Sequence, residues 1–131
     1  RRQRQMCIRD RFNNIYLSSI QTISTIPSNF TEKNTCGNIE IHPSKRYLFA
    51  SNRGHNSIAF YKILDNNQLR LIDIVFSMGD TPRHFIINKK GNLIYIANQD
   101  SNNICCFNFV DESMTYNNIT KVNSPNFLIE L

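Results

Sequence analysis

The sequence predicts an all-β fold, and three features of it do so. Residues 41–63 (IHPSKRYLFASNRGHNSIAFYKI) lie over residues 87–109 (INKKGNLIYIANQDSNNICCFNF) without a gap, so Ile41 falls on Ile87 and the internal period is 46. Within each unit, short runs alternate apolar with polar residues or gather β-branched and aromatic side chains, the pattern of strands. Clusters of Asn, Asp, Gly, Pro and Ser separate these runs and turn the chain. Ile41/Ile87, Asn52/Asn98 and Ile58/Ile104 are identical in this register, and Thr35 falls on Thr81. A period in the forties made of short strands is what one blade of a β-propeller requires, because each four-stranded sheet has to bury its faces against its neighbours. One blade cannot stand alone.

The elements follow in order. Residues 15–26 read as the fourth strand of a preceding blade with its lead-in. The first full unit, about residues 35–80, opens with a strand at 38–41 and turns at His42-Pro43-Ser44-Lys45. Strands at 47–51 and 57–63 flank a loop at 52–56, and the Asp65–Gln68 cluster leads into a strand at 69–76. The second unit, about residues 81–126, repeats this order with strands at 84–87, 93–97, 104–109 and 116–122. Residues 127–131 begin another first strand. About 120 residues at this period make two and a half blades, fewer than the four or more a closed ring needs, so the chain reads as a fragment of a larger propeller.

Antiparallel neighbours alternate in direction, which sorts the loops into two ends. One end collects the loops at 27–36, 52–56, 78–83, 98–103 and 123–125. The other collects the turns at 42–45, 65–68 and 89–91. The second end is ordinary turn chemistry. The first carries Arg53, His55, Arg83 and, at the head of an innermost strand, His84, and loops on a rigid scaffold are where such folds bind small molecules.

The bulk charge excludes less than it suggests. The formal net charge is +5, yet residues 1–11 (RRQRQMCIRDR) hold five of the fifteen basic residues and one of the ten acidic ones. The remaining chain carries +1, so the basic balance does not argue for nucleic acid. Residues 1–11 lack apolar periodicity and read as a non-native leader, leaving residues 12–131 as part of a single domain. No apolar run reaches the roughly 20 residues that cross a bilayer. Beyond the leader stand Cys36, Cys105 and Cys106, an odd set without framework spacing, which fits a reducing, cytoplasmic setting. The histidines and cysteines lack zinc-site spacing, and no phosphate loop or serine elbow is present, so no metal site is expected and chemistry would rest on arginine and histidine.

Each candidate has a plainer alternative. Asn52 and Asn98 recur at the repeat offset, and an asparagine at a strand end commonly bonds its own loop. Arg53 and Arg83 face Gln99 and Gly37 in the other unit, so the repeat does not demand them. A guanidinium clamps phosphate or carboxylate and can hold an oxyanion, whereas its structural alternative is an ion pair with Asp80 or Asp100. His55 and His84 can titrate near neutrality and serve as bases, or can be hydrogen-bonded loop residues.

Together, YLFASNRGHNSIAFYKI, TPRHFIIN, GNLIYIANQDSNNI and QTISTIP resemble the C-terminal portion of the seven-bladed propeller lactonase family, which includes bacterial 6-phosphogluconolactonase and a fungal carboxymuconate-lactonising enzyme. The resemblance runs from about Ile15 to Leu131. It implies a cytoplasmic hydrolase that opens 6-phosphogluconolactone to 6-phosphogluconate in the pentose phosphate pathway without metal or cofactor. The partner would be a phosphorylated sugar lactone, with no nucleic acid or membrane, and the full-length protein would be a monomer. Arg53, His55 and His84 become the catalytic candidates, and Arg83, Asn52, Asn98 and Gln99 the substrate-binding ones. A muconate-type lactonising enzyme and a non-catalytic binding scaffold are the alternatives.

Overall fold

The computed structural model describes residues 18–131, so the leader and the start of the strand expected from Ile15 lie outside it. All regular structure among the described residues is β. Strands β1 (Thr35–Ile41), β2 (Tyr47–Arg53), β3 (Ser57–Ile63) and β4 (Leu69–Phe76) form one antiparallel meander. Strands β5 (Pro82–Ile87), β6 (Leu93–Asn98), β7 (Asn103–Val110) and β8 (Ser113–Lys121) form a second. These are two blades of a propeller, packed face to face.

Several strands are longer than the alternation alone predicts. β1 starts at Thr35, because a bulge between Cys36 and Ile39 lets Thr35 and Cys36 pair with Arg53 and Asn52. The bulge breaks the two-residue period that would have announced them. β2 accordingly runs through Asn52 and Arg53, and β6 through Asn98, which pairs with Asn103. β8 starts at Ser113, three residues earlier than expected, since Val110 pairs with Ser113 across a two-residue turn. Asp111 and Glu112 both take positive φ (52° and 59°), the backbone of a primed hairpin turn. Asn56 and Asn102, also identical at the repeat offset, adopt left-handed backbone at φ 56° and 53°.

The flanking segments expected to be strands are not ladder-paired among the described residues. Each lies instead against a sheet. Tyr61 Oη donates to Ser24 O at 2.7 Å, and the Gln21 amide closes on both Leu69 N and Leu69 O. At the other end Leu128 N donates to His84 Nδ1 and Lys89 N to Glu130.

The core lies between the two blades. Phe49, Ile58 and Phe60 of the first sheet meet Phe85, Ile87, Ile94, Ile96, Phe107 and Phe109 of the second. Phe49 stacks on Phe60, and Phe109 sets its edge against both at 5.1 and 5.7 Å. Each buried side chain of this size stabilises by roughly 2 kcal/mol, so the interface is a major source of cohesion. The innermost strand β5 is sealed by side chains: Asn38 Nδ2 donates to Phe85 O at 3.0 Å, and the Glu40 carboxylate accepts from Ile87 N. An oxygen and an N–H two residues apart lie on one edge of a strand, so Asn38 and Glu40 stand in for a pairing neighbour.

Candidate functional site

Arg53 ends β2 on the face that carries Phe49 and Ser51 toward the second blade. Its guanidinium is half-buried and Nη2 donates to Cys36 O at 3.2 Å, while Nε is buried without a partner. Arg83 is exposed on β5 and reaches Gln99 Oε1 at 3.4 Å. The strands bring the two arginines to one end of the same seam, because Gly37, next to Cys36, abuts the carbonyls of Pro82 and Arg83. No carboxylate pairs with either arginine among the described residues. Asp80 instead accepts from Asn56 Nδ2 at 3.2 Å, and Asp100 accepts from the Thr81 hydroxyl. Two cations therefore stand at one end, and one carries an unmet buried N–H.

The segment that delivers Arg83 is strained. Thr81, β-branched and followed by proline, has φ 59°, a conformation that such a residue rarely adopts. Three hydrogen bonds fix it there: Thr81 N to Asn56 Oδ1, its hydroxyl to Asp100, and Gln99 N to Thr81 O. A backbone so over-determined aims the residues after it. Gly54, at φ 127°, leaves no room for a Cβ beside Lys33 O and Asn34, which locks the loop after Arg53 against the preceding connection.

The two histidines are held by aromatic rings and hydrogen bonds of their own rather than by contact with the arginines. His55 is clasped between Phe30 (4.8 Å, edge-on) and Phe76 (5.1 Å, stacked), toward the outermost strand of its blade. Its Nδ1 meets Ser57 Oγ at 2.7 Å. His84 lies against Phe127 on the face of β5 opposite Phe85, and burial pushes its pKa below the usual value. Its Nδ1 accepts from Leu128 N at 3.2 Å, so a neutral His84 carries its proton on Nε2 and offers a donor there rather than a base.

Asn52 and Asn98, expected among the substrate-binding residues, make internal ties here. Both are fully buried. Asn52 donates to Thr25 O and Ser57 Oγ and accepts from Thr25 Oγ1 and Asn34 Nδ2. Asn98 donates to Ser77 O and Asn103 Oδ1. Gln99 stays half-exposed beside Arg83. Cys36 and Gly37 also belong to this end of the seam, and the glycine's place opposite Arg83 in the repeat is the signal of it in the sequence. His42 opens the turn expected there, with Lys45 N bonding its carbonyl, and its buried ring also bonds Gly91 O in the next blade at 2.7 Å.

One cleft, lined by Ile41, His42, Pro43, Lys45, Ile63 and Asn67, is at the opposite end, and another, lined by Ser101, Asn102, Asn103, Ile119 and Lys121, is at the arginine end without including either arginine. No group of three metal-binding side chains occurs among the described residues.

Comparison with known proteins sets this geometry in context. The family model described as "Lactonase, 7-bladed beta-propeller" matches residues 7–128. An uncharacterized protein of Lactococcus lactis subsp. cremoris is 38% identical over 89 residues, which cover 67% of this chain and 26% of that protein. YwcC of Lactococcus lactis subsp. lactis, also uncharacterized, is 36% identical over the same shares. The chain thus spans about a quarter of the length of these relatives. Among solved structures, the periplasmic gluconolactonase PpgL of Pseudomonas aeruginosa superposes with a TM-score of 0.79 at 25% identity, covering 82% of this chain and 31% of that one. A candidate 6-phosphogluconolactonase of Bacteroides fragilis superposes at 0.72 with 30% identity, covering 81% and 30%.

Proposed function

The chain belongs to the seven-bladed β-propeller lactonase family, and from that membership we propose that the full-length protein hydrolyses a phosphorylated sugar lactone, 6-phosphogluconolactone, to its open acid. The observation that carries the reading is the pair of arginines at one end of the blade seam, neither paired with a carboxylate among the described residues, with Arg53 Nε buried and unmatched.

Water attack on a lactone carbonyl places negative charge on the carbonyl oxygen, and a half-buried guanidinium stabilises that charge more than water does. Arg53 takes this role. Arg83, exposed beside Gln99, brings a second cation to the same anionic group from across the seam. His84 adds a neutral Nε2–H donor from the innermost strand. His55 is pinned by two aromatic rings, so the group that accepts the water's proton comes in this reading from another blade of the ring. A cytoplasmic setting belongs to the same proposal and is supported by the free thiols of Cys36, Cys105 and Cys106 among the described residues, although PpgL is periplasmic by name.

The test is a panel of 6-phosphogluconolactone, unphosphorylated gluconolactone and an open-chain carboxymuconate offered to the full-length protein and to its Arg53→Ala variant. Hydrolysis with preference for the phosphorylated lactone, reduced at least about tenfold by the substitution, supports the reading. Equal rates for wild type and variant, or ring closure of muconate in place of hydrolysis, overturn it.

A further inference from the structure

We infer that Gly37 is a positioning residue that sets the distance between Arg53 and Arg83, so that the two cations grip one anion. The inference rests on the anion-binding reading above and extends it to a residue that touches no substrate. By the 46-residue period Gly37 occupies in its blade the place that Arg83 occupies in the next, so one position supplies a cation in one blade and empty space in the other.

The space is needed. A Cβ on Gly37 would lie 2.6 Å from Ser51 Oγ, 2.7 Å from Pro82 O and 2.9 Å from Arg83 O, all closer than real Cβ contacts. Two of the three are backbone carbonyls of β5, which cannot turn aside as a side chain can. Gly37 has no left-handed backbone requirement, so its absent side chain serves close approach alone. Its neighbour Cys36 gives its carbonyl to Arg53 Nη2, and the strand it abuts carries Arg83. A short covalent and contact path therefore runs from one guanidinium to the strand of the other: Arg53, Cys36, Gly37, Arg83. Widening the seam at Gly37 moves both cations apart with no change in charge.

Misplacing paired groups by about 1 Å can cost on the order of a hundredfold, so a methyl group here is expected to weaken anion binding tenfold or more. Binding of inorganic phosphate and of 6-phosphogluconate to the full-length protein is measured by titration calorimetry for wild type, Gly37→Ala, Arg83→Ala and the double variant. The expected result is a tenfold or larger loss for Gly37→Ala alone and less than a twofold further loss when Arg83 is already alanine, because a single arginine has no spacing to keep. An equal loss in both backgrounds makes Gly37 a packing residue only and overturns the inference. Should Gly37→Ala not fold, the cycle of Arg53→Ala and Arg83→Ala on the native glycine decides: strongly non-additive losses support one shared anion, and additive losses sink it. Binding needs no turnover, so coupling without lactone hydrolysis would fault the proposed reaction and leave Gly37's role standing.

Discussion

Asn98 sits where Asn52 sits in the preceding blade, yet its Oδ1 is buried without a partner while that of Asn52 takes two donors. Both side chains donate to the strand opposite, Asn52 to Ser57 and Asn98 to Asn103, so the shared offset reflects a shared tie. The difference lies in the connection that covers them. Asn34 stands over Asn52, whereas its repeat counterpart is Asp80, which accepts but cannot donate from an ionised carboxylate.

Replacing Asn52 with alanine therefore strands more partners than replacing Asn98. A lost hydrogen bond costs about 1 kcal/mol, and a buried group left unsatisfied costs more, so Asn52→Ala should destabilise by about 3 kcal/mol and Asn98→Ala by about 1 kcal/mol less. Urea unfolding of the two variants compares them. Equal midpoints would mean that the extra bonds to Asn52 contribute nothing.

Glu40 gives a pH dependence whose sign follows from its position. Burial raises its pKa above the usual carboxylate value, and the bond from Ile87 N opposes this only partly. One of its oxygens is buried with no partner. A carboxyl with a raised folded-state pKa favours folding fully below the unfolded value. That contribution is lost as pH rises through the folded value. Glutamine keeps an oxygen for Ile87 N and cannot ionise, so Glu40→Gln should match wild type near pH 4 and be the more stable of the two at pH 7. Unfolding at both pH values checks this, and an identical difference at both would rule out Glu40 as its source.

Burial also raises the pKa of the Cys105 and Cys106 thiols, while Cys36 is half-buried at the end of the blade seam. Maleimide at pH 7 should label Cys36 at least about tenfold faster than Cys105 or Cys106 in the native protein, since burial both blocks access to those two and holds down their thiolate. Mass spectrometry after brief labelling reads the order. Rapid modification of Cys105 would contradict its burial.

The fold was legible because a 46-residue repeat and turn chemistry are local signals. Strands β3 and β4 begin and end where alternation places them, at Ser57–Ile63 and Leu69–Phe76. The site was legible only as far as strand direction carries. Parity puts Arg53 and Arg83 at one end, but which face a residue takes beyond a bulge depends on pairing, and the bulge at Cys36–Ile39 is silent in the sequence. The surroundings of the histidines were not legible for a related reason. A loop residue's partner is set by whichever ring packs beside it, and Phe30 and Phe76 hold His55 from distant points in the chain.

His42 and Gly91 offer a test of how the blades are fastened. His42 Nε2 must donate to Gly91 O at 2.7 Å, since a carbonyl only accepts, and Nδ1 accepts from Ser44 N at 3.1 Å. The ring also lies against Phe109 at 5.3 Å, so one side chain joins a turn of the first blade to both a turn and the core of the second. Gly91 has φ 76°, and a Cβ there would come within 2.5 Å of the His42 ring. Gly91→Ala should destabilise through both strain and collision, by about 2 kcal/mol, and His42→Ala by a similar amount through lost packing and hydrogen bonding. In the double variant the collision disappears, so the combined loss should fall short of the sum by about 1 kcal/mol. Strict additivity in chemical unfolding would show that the methyl group finds room beside the histidine, and that the two turns are not in the close contact described.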